Sequence, residues 1–144
     1  MVTAHENDLR RRRGLAKLHD MAGIAALDQF RATLIDIAPD LADYIVDFVY
    51  GDVFSRPGLS SRDQEIVTLS VLASSGGCEA QLALHVQLAL NVGMDPAEIV
   101  DVLIHVAPYA GFPRALNAVE VARRVFVANG LIHPRPQDAA AARP

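Results

Sequence analysis

The chain has 144 residues, 51% of them hydrophobic and 21% charged, with a formal net charge of −4 and a mean hydropathy of +0.22. That length suits one domain with a real core, and the acidic balance argues against a nucleic-acid partner, whose phosphates call for a basic surface. No apolar run reaches the roughly 18 residues of a membrane span, no secretion signal is visible, and the single Cys78 forms neither an intrachain disulfide nor a CxxC pair, so a cytoplasmic protein with no membrane partner is expected.

Alternation at period two is hard to find, whereas period 3.6 recurs. The first block covers residues 8–21, with Leu9, Leu15 and Leu18 loosely spaced. It contains the run Arg10-Arg11-Arg12-Arg13, read as a solvated helix face or a loose arm, with phosphate binding as the alternative. A second block follows Gly23, with Ile24, Leu27, Phe30, Leu34 and Ile37 at helical steps, and stops at Pro39. After Asp40, Leu41, Tyr44, Ile45, Phe48 and Val49 form an i, i+3, i+4, i+7, i+8 stripe, with Asp43 and Asp47 on another face. The stripe decides for helix in spite of its aromatic and β-branched residues.

Ser55-Arg56-Pro57-Gly58 is turn chemistry. Ser60 or Ser61 caps the next helix, with Asp63 or Gln64 near N3. Ile66, Val67, Leu69, Val71, Leu72 and Ala73 then make it apolar nearly all round, which predicts a central, buried helix. Ser74-Ser75-Gly76-Gly77 ends it. A helix over 78–92 stops at Gly93, and Asp95-Pro96-Ala97-Glu98 supplies an N-cap, a proline at N1 and an acid at N3. That helix runs to about residue 107, where Pro108 must interrupt or kink it. Tyr109-Ala110-Gly111-Phe112-Pro113 forms a corner, and a last helix spans 114–129 before Gly130.

The expected fold is therefore all-α, a single-domain bundle of about six helices centred on the pair over 61–92. Residues 1–22 form an N-terminal helical arm, 23–133 the domain, and 134–144 a tail whose Pro, Ala and Arg content predicts disorder. The high apolar content also predicts a homo-oligomer, since exposed apolar patches mark interfaces.

Chemistry gathers in three places. Cys78, Gln81 and His85 are spaced i, i+3, i+7 and on a helix would share one stripe. A core histidine satisfied by a backbone carbonyl is the plain alternative for His85. Glu65 follows Arg62 by three residues, which fits either an ordinary ion pair or a pocket mouth, where arginine grips a carboxylate and glutamate moves a proton. His105 and Tyr109 flank Pro108, where freed carbonyls let a helix open beside a cavity; Asp101 is an alternative surface partner for His105. Metal binding is not supported, because no helix carries HxxxH or ExxH and one cysteine makes no thiolate site. Lys17 is the only lysine, so Schiff-base chemistry has a single, poorly placed candidate. No glycine-rich phosphate loop follows a strand.

Several segments together resemble the carboxymuconolactone decarboxylase family. They are Phe54-Ser55-Arg56-Pro57-Gly58-Leu59-Ser60 with Arg62 and Glu65-Ile66-Val67-Thr68-Leu69, then Gly77-Cys78-Glu79-Ala80-Gln81-Leu82-Ala83-Leu84-His85 running on to Gly93. The third is Glu98-Ile99, His105 and the corner Pro108–Pro113, followed by Ala115-Leu116-Asn117-Ala118. The resemblance implies an alkylhydroperoxidase D-like all-α fold, a homo-oligomer of the trimer or hexamer kind, and an activity with no metal or organic cofactor. It also implies loss of carbon dioxide from a small anionic lactone such as 4-carboxymuconolactone in the β-ketoadipate route of aromatic catabolism. His85 would be the acid or base, Arg62 would anchor an anionic group or stabilise the dienolate, and Glu65 would orient the set, with Cys78, Gln81, His105 and Tyr109 lining the substrate. Alkylhydroperoxidase D-type relatives use a CxxC pair followed by histidine. Here Gln81 replaces the second cysteine, so that alternative reduces to a single-cysteine hydroperoxide reductase resolved by an external thiol. A family member that binds a small anionic molecule without decarboxylating it is the third reading.

Overall fold

The computed structural model describes residues 4–23, 28 and 32–135, and among these every regular element is a helix. The chain divides into two units, Met1–Gln64 and Glu65–Pro144. No helix among the described residues is long and apolar enough to cross a membrane.

In the first unit, helix α1 spans Ala4–Ala22 and ends where Gly23, at φ +80, donates its N–H to the His19 carbonyl at 2.9 Å. A short α2, Pro39–Tyr44, runs directly into a π-helix over Ile45–Val53. Pro39 thus opens a helix, at a first-turn position where its missing N–H costs nothing. Ile24, Leu27 and Phe30 lie outside the described residues. Leu34 and Ile37 fall in a turn, with the Ala38 N–H bonded to the Leu34 carbonyl at 2.7 Å and Ile37 exposed.

The stripe read from residues 41–49 is not the face this unit buries. Leu41, Tyr44 and Phe48 are exposed, while Ala42, Val46, Tyr50 and Phe54 are buried. The buried set advances in steps of four, as expected where i→i+5 bonding turns the chain less per residue than an α-helix does. Two glycines bring α1 and the π-helix together. A Cβ on Gly14 would lie 2.1 Å from the Val46 carbonyl oxygen, and one on Gly51 would lie 2.6 Å from that of Arg10. Only hydrogen at both positions permits backbones this close.

The arginine run faces this contact and is paired with acids. Arg10 pairs with Asp52 and donates through Nε to the Asp47 carbonyl at 3.1 Å. Arg11 bridges Asp43 and Asp47, the latter at 3.4 Å, and Arg12 pairs with Asp8 at 2.7 Å. The hydrogen bond that Arg11 donates to Asp43 raises the pKa of its guanidinium above the ordinary value, with partial burial opposing. The run and the aspartates on the far face of the stripe thus belong to one ionic seam.

Helix α3, Ser61–Ser75, begins on a reciprocal cap in which the Asp63 N–H donates to Ser60 Oγ and the Ser60 N–H to the Asp63 carboxylate. Contrary to the expectation of a helix buried all round, Val67 and Val71 are more than half exposed. Beyond it, α4 spans Glu79–Asn91 and α5 spans Pro96–His105. The α5 cap is as read: Asp95 Oδ1 accepts from the Ala97 N–H at 2.8 Å, and Glu98 Oε2 accepts from the Asp95 N–H at 2.9 Å. The break after α5 falls at Val106, and Pro108 sits within a one-turn α6, Ala107–Ala110. Gly111, at φ +91, then turns the chain into α7, Phe112–Ala128.

The core of the second unit joins Leu69 and Ala73 of α3, Leu82, Val86 and Ala89 of α4, Ile99 and Leu103 of α5, and Ala118, Val121, Ala122 and Phe126 of α7. Helix α7 packs against α4, α5 and α6, and the pair over 61–92 supplies Leu69, Ala73, Leu82, Val86 and Ala89 to the same core. The inner face of α7 is rich in alanine, which lets neighbouring backbones approach without cavities.

Candidate functional site

Glu65, Leu69 and Ala73 follow one another at four-residue steps on α3, and all three are buried. The glutamate therefore occupies a core position rather than the solvent face on which an i, i+3 pair with Arg62 would lie. A carboxylate there is costly unless it is paired. Its partner comes from α4, where Leu82, Val86 and Ala89 face the core and His85 stands at the border of that face.

His85 Nδ1 lies 2.9 Å from Glu65 Oε2, joining residues twenty apart in sequence. The Glu65 side chain is fully buried and that of His85 is 16% exposed. Glu65 Oε1 is buried with no hydrogen-bond partner among the described residues. Which ring nitrogen donates depends on the tautomer; with Nδ1–H donating to the carboxylate, Nε2 is the nitrogen left to take up or deliver a proton. The carboxylate also fixes the ring plane. A histidine held in this way is chemically able to act as a general acid or base.

The other residues singled out from the sequence do not join this pair by hydrogen bonds among the described residues. Arg62 is half-buried on the first turn of α3, in the first unit. Cys78 immediately precedes α4 at its N-cap, so the i, i+7 alignment with His85 does not apply, and its thiol donates to the Leu72 carbonyl at 3.2 Å. Gln81 is exposed. The His105 and Tyr109 rings contact each other at 5.5 Å between centroids, with Tyr109 81% exposed.

One side chain escaped the sequence reading. Arg114, on the first turn of α7, lays its guanidinium over Gly76, where an added Cβ would lie 1.4 Å from Nη1. It lines a narrow crevice together with Leu72, Cys78, Glu79 and Asn117. The sequence shows there only the pair Gly76-Gly77, and both glycines have positive φ. Among the described residues no three His, Cys, Asp or Glu side chains converge as a metal-ligand set.

Comparison with known proteins agrees on a family. The family model described as "Carboxymuconolactone decarboxylase family" matches residues 39–124. A 4-carboxymuconolactone decarboxylase from Acinetobacter baylyi is 30% identical over 120 residues, which cover 83% of this chain and 89% of that protein. A nitrosuccinic acid decarboxylase from Metarhizium robertsii is 29% identical over 84 residues, covering 58% of each chain.

Proposed function

This chain belongs to the carboxymuconolactone decarboxylase family, and from that premise we propose that it is a carboxy-lyase acting on a small carboxylated lactone such as 4-carboxymuconolactone, as in aromatic-compound catabolism. The observation that carries the reading is the buried Glu65–His85 contact at 2.9 Å, which leaves one imidazole nitrogen for proton transfer. Two relatives named as decarboxylases, of different substrates, support the reaction class more strongly than any one substrate.

In the proposed reaction the bond from carbon to the leaving carboxylate breaks and its electron pair moves into the conjugated lactone. The lactone carbonyl oxygen takes the charge, carbon dioxide departs, and the resulting dienolate must receive a proton on carbon. His85 delivers it from Nε2, while Glu65 holds Nδ1 and stabilises the imidazolium before transfer. Arg62 is assigned to the anionic group, as its charge and planar fork suit a carboxylate. No metal or organic cofactor has a part in this scheme. The exposed side chains of Ile104, Tyr109, Phe112 and Leu116 support a proposed homo-oligomer, trimeric or hexameric, that covers them.

The test is turnover by purified protein on a panel of anionic lactones, with carbon dioxide release as readout and hydroperoxide reduction as the competing assay. Consumption of 4-carboxymuconolactone or a close analogue with equimolar carbon dioxide is expected. Hydroperoxide reduction dependent on Cys78, without decarboxylation, would replace this reading with the thiol one.

A further inference from the structure

The crevice beside Cys78 holds a cation that the proposed proton transfer does not use. Arg114 reaches it from the first turn of α7 and lies across Gly76. Gly76 is suited to this twice over, since its φ of +63 is a conformation side chains avoid and its missing Cβ is the space the guanidinium fills. Among the described residues no carboxylate pairs with Arg114. Glu79 lines the same crevice, but its Oε1 accepts from the Gly77 N–H at 3.3 Å. Cys78, Asn117 and the apolar residues Leu72, Leu82 and Ala118 line the crevice with Arg114, and Arg114 and Asn117 are both exposed at its rim.

We propose that this crevice is a carboxylate subsite, in which Arg114 grips one carboxylate of a small organic acid and Asn117 supplies a further hydrogen bond. The chemistry fits that class. A planar guanidinium offers two parallel N–H groups that match a carboxylate fork, and the amide adds a donor. The crevice has room for about one water-sized group, about 10 Å³, so only the carboxylate enters and the carbon skeleton stays outside. Glu79 tunes the site by repelling the incoming anion, and so sets a limit on its affinity. Assigning the bound group to a second carboxylate of the decarboxylase substrate rests on the reading above; the anion site itself does not.

Because Cys78 is the only cysteine, its alkylation reports on the crevice without any turnover. Iodoacetate carries a carboxylate and iodoacetamide does not, so the ratio of their rates at Cys78 measures the local pull on an anion. Arg114→Gln is expected to lower that ratio about tenfold, the worth of one charged hydrogen bond. Arg114→Lys should retain part of the preference, and Glu79→Gln should raise it. Succinate, titrated against isotope-labelled protein, should shift the backbone amides of Gly76, Cys78 and Arg114, and the shifts should vanish in Arg114→Gln. Far-UV circular dichroism establishes that each variant is folded. Equal rate ratios in the wild type and Arg114→Gln, or a succinate titration that leaves those three amides unmoved, would overturn the proposal. A protein that decarboxylates nothing yet shows both effects would keep the subsite and lose the function.

Discussion

Removing His85 should expose how much Glu65 depends on it. His85→Ala leaves a fully buried carboxylate with neither oxygen paired among the described residues. Breaking a buried pair in this way costs about 3–5 kcal/mol. The carboxylate can escape by taking up a proton, which sets a ceiling on the cost. Protonating an ordinary glutamate, with its reference value of about 4.3, costs about 1.4 kcal/mol per pH unit above that value, or about 4 kcal/mol at pH 7 and about 1 kcal/mol at pH 5. The folded variant then holds a proton that its unfolded chain releases at neutral pH. Stability contributed by such a group is present at low pH and is lost as pH rises, so the variant should recover on acidification. Other groups titrate over the same range, and the double variant His85→Ala/Glu65→Gln removes them from the comparison. Urea unfolding of both proteins from pH 5 to pH 7 should show a stability difference that changes by about 1.4 kcal/mol per pH unit. Parallel pH profiles, or a cost for His85→Ala below about 1 kcal/mol at pH 7, would show that Glu65 does not depend on His85, and the reasoning from the 2.9 Å contact would fail.

Three further variants test the supporting structure. Gly14→Ala places a methyl group 2.1 Å from the Val46 carbonyl oxygen and should cost about 3 kcal/mol by forcing α1 off the π-helix; an unchanged thermal midpoint would contradict the close packing. Arg11→Gln, which loses contacts to Asp43 and Asp47 at a partly exposed site, should cost about 1 kcal/mol. That loss should shrink in 1 M salt, where charges are screened beyond about 3 Å; a salt-independent effect would point to packing instead. Asp95→Ala removes the side chain that accepts from Ala97 and should lower stability by about 1 kcal/mol in denaturant unfolding.

Local chemistry made much of this fold legible. The Asp95–Glu98 cap and the Ser60–Asp63 cap act within four residues, and both are found where their side chains predict. Gly93 and Gly130 follow α4 and α7 with positive φ, as helix-ending glycines do. The π-helix was not legible, because its winding changes which residues face inward and the stripe from Leu41 to Val49 assumes an α-helical step. The long-range pairing of the arginine run was not legible for a similar reason. Its partners Asp43, Asp47 and Asp52 lie more than thirty residues away, and pairing over that distance depends on the glycine contact between α1 and the π-helix. At the site, spacing suggested a stripe of Cys78, Gln81 and His85, but the helix begins after Cys78 and only His85 reaches Glu65. That Glu65 faces the core could be seen from its four-residue steps to Leu69 and Ala73. That Arg114 returns over Gly76 could not be seen, since it joins the first turn of α7 to the loop after α3 through a side chain alone.

The central claim is that an imidazole oriented by a buried carboxylate transfers the proton in decarboxylation. The measurement that tests it most directly is kcat for carbon dioxide release from 4-carboxymuconolactone by the wild type, His85→Ala and Glu65→Gln. Loss of general acid–base help predicts that His85→Ala falls by about 10²–10⁴-fold, with KM little changed. Glu65→Gln, which keeps a hydrogen-bonding side chain beside Nδ1 but removes its charge, should fall less. A folded His85→Ala protein with the wild-type kcat would contradict the account.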